Sequence, residues 1–139
     1  MKKSLFVLMF VAFLLVTTFG QSAKIPLIGS KAPSFTTEST NGTVTFPEDF
    51  GKHWKILFSH PQDFTPVCSS ELLELAFMQK DFSKLNAKIA VISTDDISLH
   101  KMWKNQLQEL DYRGRGPQQI DFPIFDDHLA VASRQYGML

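Results

Sequence analysis

Ile56-Leu57-Phe58-Ser59-His60-Pro61-Gln62-Asp63-Phe64-Thr65-Pro66-Val67-Cys68-Ser69-Ser70-Glu71-Leu72 passes from a short apolar run, through a loop holding two prolines, into a helical pattern. The apolar part, Lys55 to Ser59, reads as a strand at a buried sheet position. His60 to Val67 reads as the loop, and Thr65 or Pro66 as the start of a helix. That reading places Cys68, the single cysteine among 139 residues, in the first turn of a helix. The first turn carries backbone N–H groups without intrahelical partners and the positive end of the helix dipole, and both favour an anion such as a thiolate. A free cysteine is more often a small buried hydrophobe. Its neighbours point instead to chemistry: Thr65 can turn its hydroxyl toward the sulfur, while Pro61 and Pro66 stiffen the loop and remove two N–H donors.

Working outward, Ser34 to Thr37 and Thr43 to Phe46 are β-branched or aromatic runs around Asn41-Gly42, a hairpin signal. After Cys68, Leu72, Leu75, Ala76, Phe82 and Leu85 fall near one helical face. Glu71 lies in the first turns, where a carboxylate suits the dipole. Lys88 to Ser93 is the clearest buried strand. Asp95-Asp96 can cap a helix from Ile97 to about Leu110, Tyr112 to Asp121 is a loop, Ile124-Phe125 a short strand, and Leu129 to Tyr136 a short helix. Alternating strands and helices predict one α/β layered domain with a partly parallel sheet.

Composition narrows the function classes. Formal net charge is zero, so no nucleic-acid surface is expected. Arg113-Gly114-Arg115-Gly116-Pro117 reads as a flexible turn. His53, His60, His100 and His128 lack metal-ligand spacing, and no metal is expected. His60 has two readings of equal weight, tuning Cys68 or packing the loop, whereas His100, three residues before Trp103, reads as a packing residue. Glycine-rich phosphate loops and Gly-x-Ser-x-Gly elbows are absent, so nucleotide binding and serine hydrolysis are unsupported.

Residues 1–20 form a separate unit. Lys2 and Lys3 precede twelve consecutive apolar residues, Leu5 to Val16, and Thr17-Thr18-Phe19-Gly20 supplies small residues at a cleavage point. This is the pattern of a secretory signal peptide, and it predicts an exported protein, periplasmic or secreted, with residues 21–139 as the mature domain. An uncleaved N-terminal membrane anchor is the alternative, although the run is short against the ~20 residues that span a bilayer. A lone cysteine in an exported protein suggests either a free reactive thiol or an intermolecular disulfide, and its surroundings here favour the reactive thiol.

The quoted stretch, with its Pro61-x-x-x-Thr65-x-x-Cys68 pattern, closely resembles the active-site segment of the peroxiredoxins, the alkyl hydroperoxide reductase and thiol-specific antioxidant family. Ser59-His60-Pro61 and Phe64-Thr65-Pro66-Val67-Cys68 resemble its one-cysteine branch. Ile25-Pro26-Leu27-Ile28-Gly29, Ala32-Pro33-Ser34-Phe35, Ser93-Thr94-Asp95 with His100 and Trp103, Phe122-Pro123-Ile124 with Asp126-Asp127, and Tyr136-Gly137-Met138-Leu139 extend the likeness over nearly everything after residue 24. The resemblance implies a thioredoxin-like fold, with a central mixed sheet flanked by helices and an N-terminal β-hairpin. It implies a thiol peroxidase in antioxidant defence that reduces hydrogen peroxide and organic hydroperoxides through a sulfenic acid at Cys68. Thr65 would bond thiolate and peroxide, Pro61 would shield the sulfur, and His60 and Glu71 would support the site. No cofactor is implied. An external thiol, from a thioredoxin-like protein or a small molecule, would reduce the sulfenic acid, and a homodimer is compatible with this reading. Family members also carry an arginine on a later strand, and the sequence reaches Leu139 before that segment. Arg113, Arg115 and Arg134 stand outside its context. The expectation is thus that the C-terminal part of the family fold lies outside these residues. The alternative function is a non-catalytic or peroxide-sensing fragment on the same fold. A thiol–disulfide oxidoreductase weighs less, because Cys68-Ser69-Ser70-Glu71 stands where that chemistry needs Cys-x-x-Cys.

Overall fold

A computed structural model describes residues 25–139; the expected signal peptide lies outside the described residues. Strands β1 (Phe35–Thr37) and β2 (Val44–Phe46) pair antiparallel, with Phe35 opposite Phe46. Ser39 and Gly42 exchange backbone hydrogen bonds of 3.0 and 3.1 Å, so Thr40 and Asn41 form the tip and Gly42, at φ 96°, follows it. The tip is therefore one residue earlier than Asn41-Gly42 suggests. A short 3-10 turn, Glu48–Phe50, leads to β3 (Trp54–Ser59). Helix α1 (Pro66–Lys84), β4 (Ala87–Ser93), α2 (Ile97–Glu109), β5 (Ile124–Asp126) and α3 (Val131–Gln135) complete the order.

Strands β3, β4 and β5 form a parallel sheet in that order. Phe58 lies opposite Val91, and Val91 opposite Ile124. The hairpin extends it: Thr40 N–H donates to the Ile124 carbonyl and Asp126 N–H to the Glu38 carbonyl, each at 3.0 Å, beside an antiparallel bridge from Ser39 to Phe125. The sheet is mixed, as expected.

β4 explains the layering. Successive strand side chains point to opposite faces. Ile89 and Val91 pack with Leu72, Leu73 and Ala76 of α1 and with Trp103 and Leu107 of α2. Ala90 and Ile92 pack with Phe35, Phe46, Phe50, Phe125 and Ala132 on the other face. The phenylalanines form edge-on contacts such as Phe35 to Phe125, 5.7 Å between centroids at 87°. Such pairs add about 0.5–1.5 kcal/mol beyond burial.

Two expectations are corrected. β3 does not reach the buried sheet position expected for it: Ile56, Leu57 and Phe58 are half-buried, and among the described residues the strand pairs on one side only. Its apolar run resembles that of a central strand because both of its faces still receive cover, Phe58 from one core cluster and Leu57 from the other. Leu85 does not share the buried face of α1. It caps the helix C-terminus, where the chain turns away from the core, and it is exposed.

Candidate functional site

Asp63 organises the segment between β3 and α1. Its backbone N–H donates to Asp95 Oδ2 at 2.6 Å, tying the loop to the end of β4. Its side chain is buried between two imidazoles: Oδ1 lies 2.7 Å from His60 Nε2 and Oδ2 lies 2.7 Å from His100 Nδ1. His100 Nε2 lies 3.1 Å from the Phe125 carbonyl of β5. One carboxylate thus joins the loop to α2 and, through it, to the sheet. Burial works against the charged form. The hydrogen bonds from His100 and His60, with the attraction of their rings, outweigh it and hold the Asp63 carboxyl below the usual range.

Between Asp63 and the helix the chain turns sharply. Phe64 adopts φ 58°, the left-handed region that bulky L-residues avoid at a cost of roughly 1–3 kcal/mol. Its ring lies 6.4 Å from Trp103. Thr65, at φ −84° and ψ 143°, is the N-cap, and Pro66 follows at the first helical position, where a missing N–H costs nothing. Thr65 Oγ1 donates to the Gln62 carbonyl at 3.0 Å. Its one proton is therefore committed to the loop, not to the sulfur.

Cys68 is third in α1 and 5 % exposed, packed with Leu72, Val91 and Trp103. The helix start expected at Thr65 or Pro66 is found. Next to the cysteine, Ser69 Oγ accepts from Trp103 Nε1 at 3.2 Å, and the Trp103 ring lies 5.0 Å from that of His60. A chain of contacts therefore runs from α1 through Trp103 to the imidazole cluster. Pro61 is exposed and lines a cleft of about 340 Å³ with Ser59, His60, Ser93 and Thr94 at the carboxyl ends of β3 and β4. Cys68 does not line it. Glu71, one turn after Cys68 on α1, is exposed, and its side chain makes no hydrogen bond among the described residues.

His100, read from sequence as a packing residue, is completely buried and is a polar link in this network. Asp63 was not singled out at all. The i, i+3 spacing of His60 and Asp63 was the available signal, but only the folded chain brings His100 to them. Among the described residues, His60, Asp63 and Asp95 have metal-ligating atom types within 4.8 Å of one another. Those atoms already bond each other: His60 to Asp63, and Asp95 Oδ2 to the Asp63 N–H. These contacts already engage one nitrogen of His60 and one oxygen of each carboxylate. A second cleft of about 470 Å³ involves Phe50, Gln79, Lys88 and Asp121, near the opposite ends of the strands.

The family model described as the AhpC/TSA family matches residues 28–139. The chain belongs to the AhpC/TSA family. Within it, a peroxiredoxin of Methanosarcina mazei is 40 % identical over 116 residues, covering 83 % of this chain and 53 % of the relative. Peroxiredoxin-6 of Sus scrofa is 40 % identical over 114 residues, covering 81 % and 50 %. Among solved AhpC/TSA relatives, the yeast mitochondrial 1-Cys peroxiredoxin superposes with a TM-score of 0.75 at 33 % identity, covering 83 % of this chain and 52 % of that one. The chain spans about half the length of these relatives. Its mixed sheet flanked by helices is the thioredoxin-like fold of this family.

Proposed function

We propose that the protein is a thiol peroxidase with Cys68 as its nucleophile. The observation that carries this reading is the placement of the sole cysteine in the first turn of α1, beside a loop pinned by Asp63, in a chain of the AhpC/TSA family. The Cys68 thiolate attacks one oxygen of a hydroperoxide. The S–O bond forms as the O–O bond breaks, and the leaving oxygen takes a proton to depart as water or alcohol. Cys68 is left as a sulfenic acid. The first-turn N–H groups favour the thiolate, and oriented donors stabilise charge on the leaving oxygen. Hydrogen peroxide and small organic hydroperoxides suit a sulfur with little open surface. Pro61 and Thr65 shape the approach to it.

Two reducing electrons must return the sulfenic acid to the thiol, and with Cys68 the single cysteine of these 139 residues the reading assigns them to an external thiol. The yeast relative is described as resolving its thiol through glutathione/thioredoxin systems, which supports a small thiol or a thioredoxin-like protein here. Peroxide consumption by the full chain with such a thiol tests the reading. Turnover should vanish in Cys68→Ser; equal rates in both proteins would overturn it.

Export is part of the proposal. Lys2, Lys3 and the apolar run Leu5 to Val16 support removal of residues 1–20. N-terminal sequencing of the exported protein should begin near Gln21, whereas an intact Met1 in a membrane fraction would support an anchor. Among the described residues no helix is long and apolar enough to cross a membrane.

A further inference from the structure

His60 Nδ1 is the one buried side-chain nitrogen or oxygen among the described residues without a hydrogen-bond partner. The other three ring nitrogens of the cluster are engaged. The Phe125 carbonyl can only accept, so His100 Nε2, 3.1 Å away, must carry a hydrogen. An ionised Asp63 accepts at both oxygens, so His100 Nδ1 and His60 Nε2 both donate to it. His100 then holds hydrogens on both nitrogens, and its positive charge balances the carboxylate. A second buried positive ring would have no counter-charge within the cluster. His60 therefore keeps a single hydrogen, on Nε2, and its Nδ1 is a bare lone pair.

We propose that Asp63 and His100 are positioning residues that fix this tautomer of His60 and so keep one free acceptor nitrogen in the cysteine loop. That nitrogen has almost no open surface of its own, so the ligand class it suits is a small O–H donor, such as a hydroperoxide or the water or alcohol it yields. Three features support a set orientation. The Trp103 ring stacks 5.0 Å from His60, tilted by 36°. His60 N–H donates to the Ile92 carbonyl at 3.1 Å, fixing the backbone at the sheet. The side chain is 1 % exposed, which leaves no room for a solvent-driven flip. His60 and Pro61 also border the cleft at the ends of β3 and β4, the side from which a small ligand would enter. His100 acts only through Asp63 and His60; it touches no substrate in this account.

Long-range nitrogen–proton NMR of the imidazoles in the full chain tests the assignment. The wild-type protein should show His60 with Nε2 protonated and Nδ1 bare, and His100 protonated at both nitrogens. In Asp63→Asn the amide can give its N–H to His100 Nδ1 and accept from His60 Nε2. His100 should then lose its Nδ1 hydrogen while His60 stays unchanged. In His100→Phe, Asp63 keeps one ring partner, so the charge should move to His60 and its Nδ1 should become protonated. A merely structural role would not produce this pattern. A wild-type His60 protonated at Nδ1, or an unchanged His60 in His100→Phe, would overturn the proposal. The wild-type spectrum decides alone where a variant fails to fold.

The kinetic arm rests on the peroxidase reading. There, His100→Phe should slow peroxide reaction at Cys68 by about 10–100-fold, the range for partners that orient a working imidazole. Unreactive wild-type Cys68 with the expected spectra would sink the peroxidase reading and leave the positioning intact. Reactive wild type with unaffected His100→Phe would leave the peroxidase reading and overturn the positioning.

Discussion

Asp63 and Thr65 show how much of the site depends on single protons. Asp63 titrates below an ordinary carboxyl because His100 and His60 donate to its charged form, more than offsetting burial. A depressed folded pKa contributes stability that is fully present above the unfolded value of about 3.9 and is lost as pH falls through the folded value. Relative to Asp63→Asn, the wild type should therefore gain in denaturant stability as pH rises from strongly acidic to about 4. A constant difference throughout would contradict the network. Thr65 makes a different prediction. Its hydroxyl proton sits on the Gln62 carbonyl, so Thr65→Val removes a loop bond and Thr65→Ser restores it. If Thr65 turns toward the reacting oxygens during the reaction, Thr65→Val should slow peroxide reaction by roughly 10²–10³-fold, by analogy with other oriented donors. Unchanged kinetics would confine Thr65 to the loop.

The two long helices differ in how they start. α1 uses Thr65 and Pro66 without a side-chain cap, whereas Asp96 Oδ1 caps α2 from Ser98 N–H at 2.8 Å and Leu99 N–H at 3.0 Å. Asp126 adds a bond from Ile97 N–H at 3.0 Å. Asp96→Ala should cost about 0.5–2 kcal/mol in denaturant unfolding. A larger loss would mean that Asp96 also supports the His100 cluster. These elements were legible because their signals are local: Asp95-Asp96 before an apolar pattern, Thr65-Pro66 before Cys68, and β-branched runs around Asn41-Gly42. His100 was not, since a buried polar residue on a helix looks in sequence like a surface one. Asp63 was hidden likewise, because a loop carboxylate acquires its two imidazole partners only when α2 packs against the sheet. The edge position of β3 was obscured because Leu57 and Phe58 reach opposite core clusters even without a second strand partner.

For residues 25–139 taken together, the edge of β3 that pairs with no strand among the described residues, and the surface beside it, matter most. Trp54, at its start, is 75 % exposed. Unpaired strand edges template association, and lysine on an edge blunts it. Residues 21–139 should therefore self-associate with rising concentration in light scattering, and Trp54→Lys should reduce that association. A monodisperse monomer at every concentration would show that the edge is protected. The central claim lies elsewhere, in one sulfur atom held at the start of α1. Mass spectrometry after stoichiometric peroxide and a sulfenate trap reads it directly. The account predicts trapped sulfenic acid on Cys68 before any methionine is oxidised; an unmodified Cys68 alongside methionine sulfoxide would contradict it.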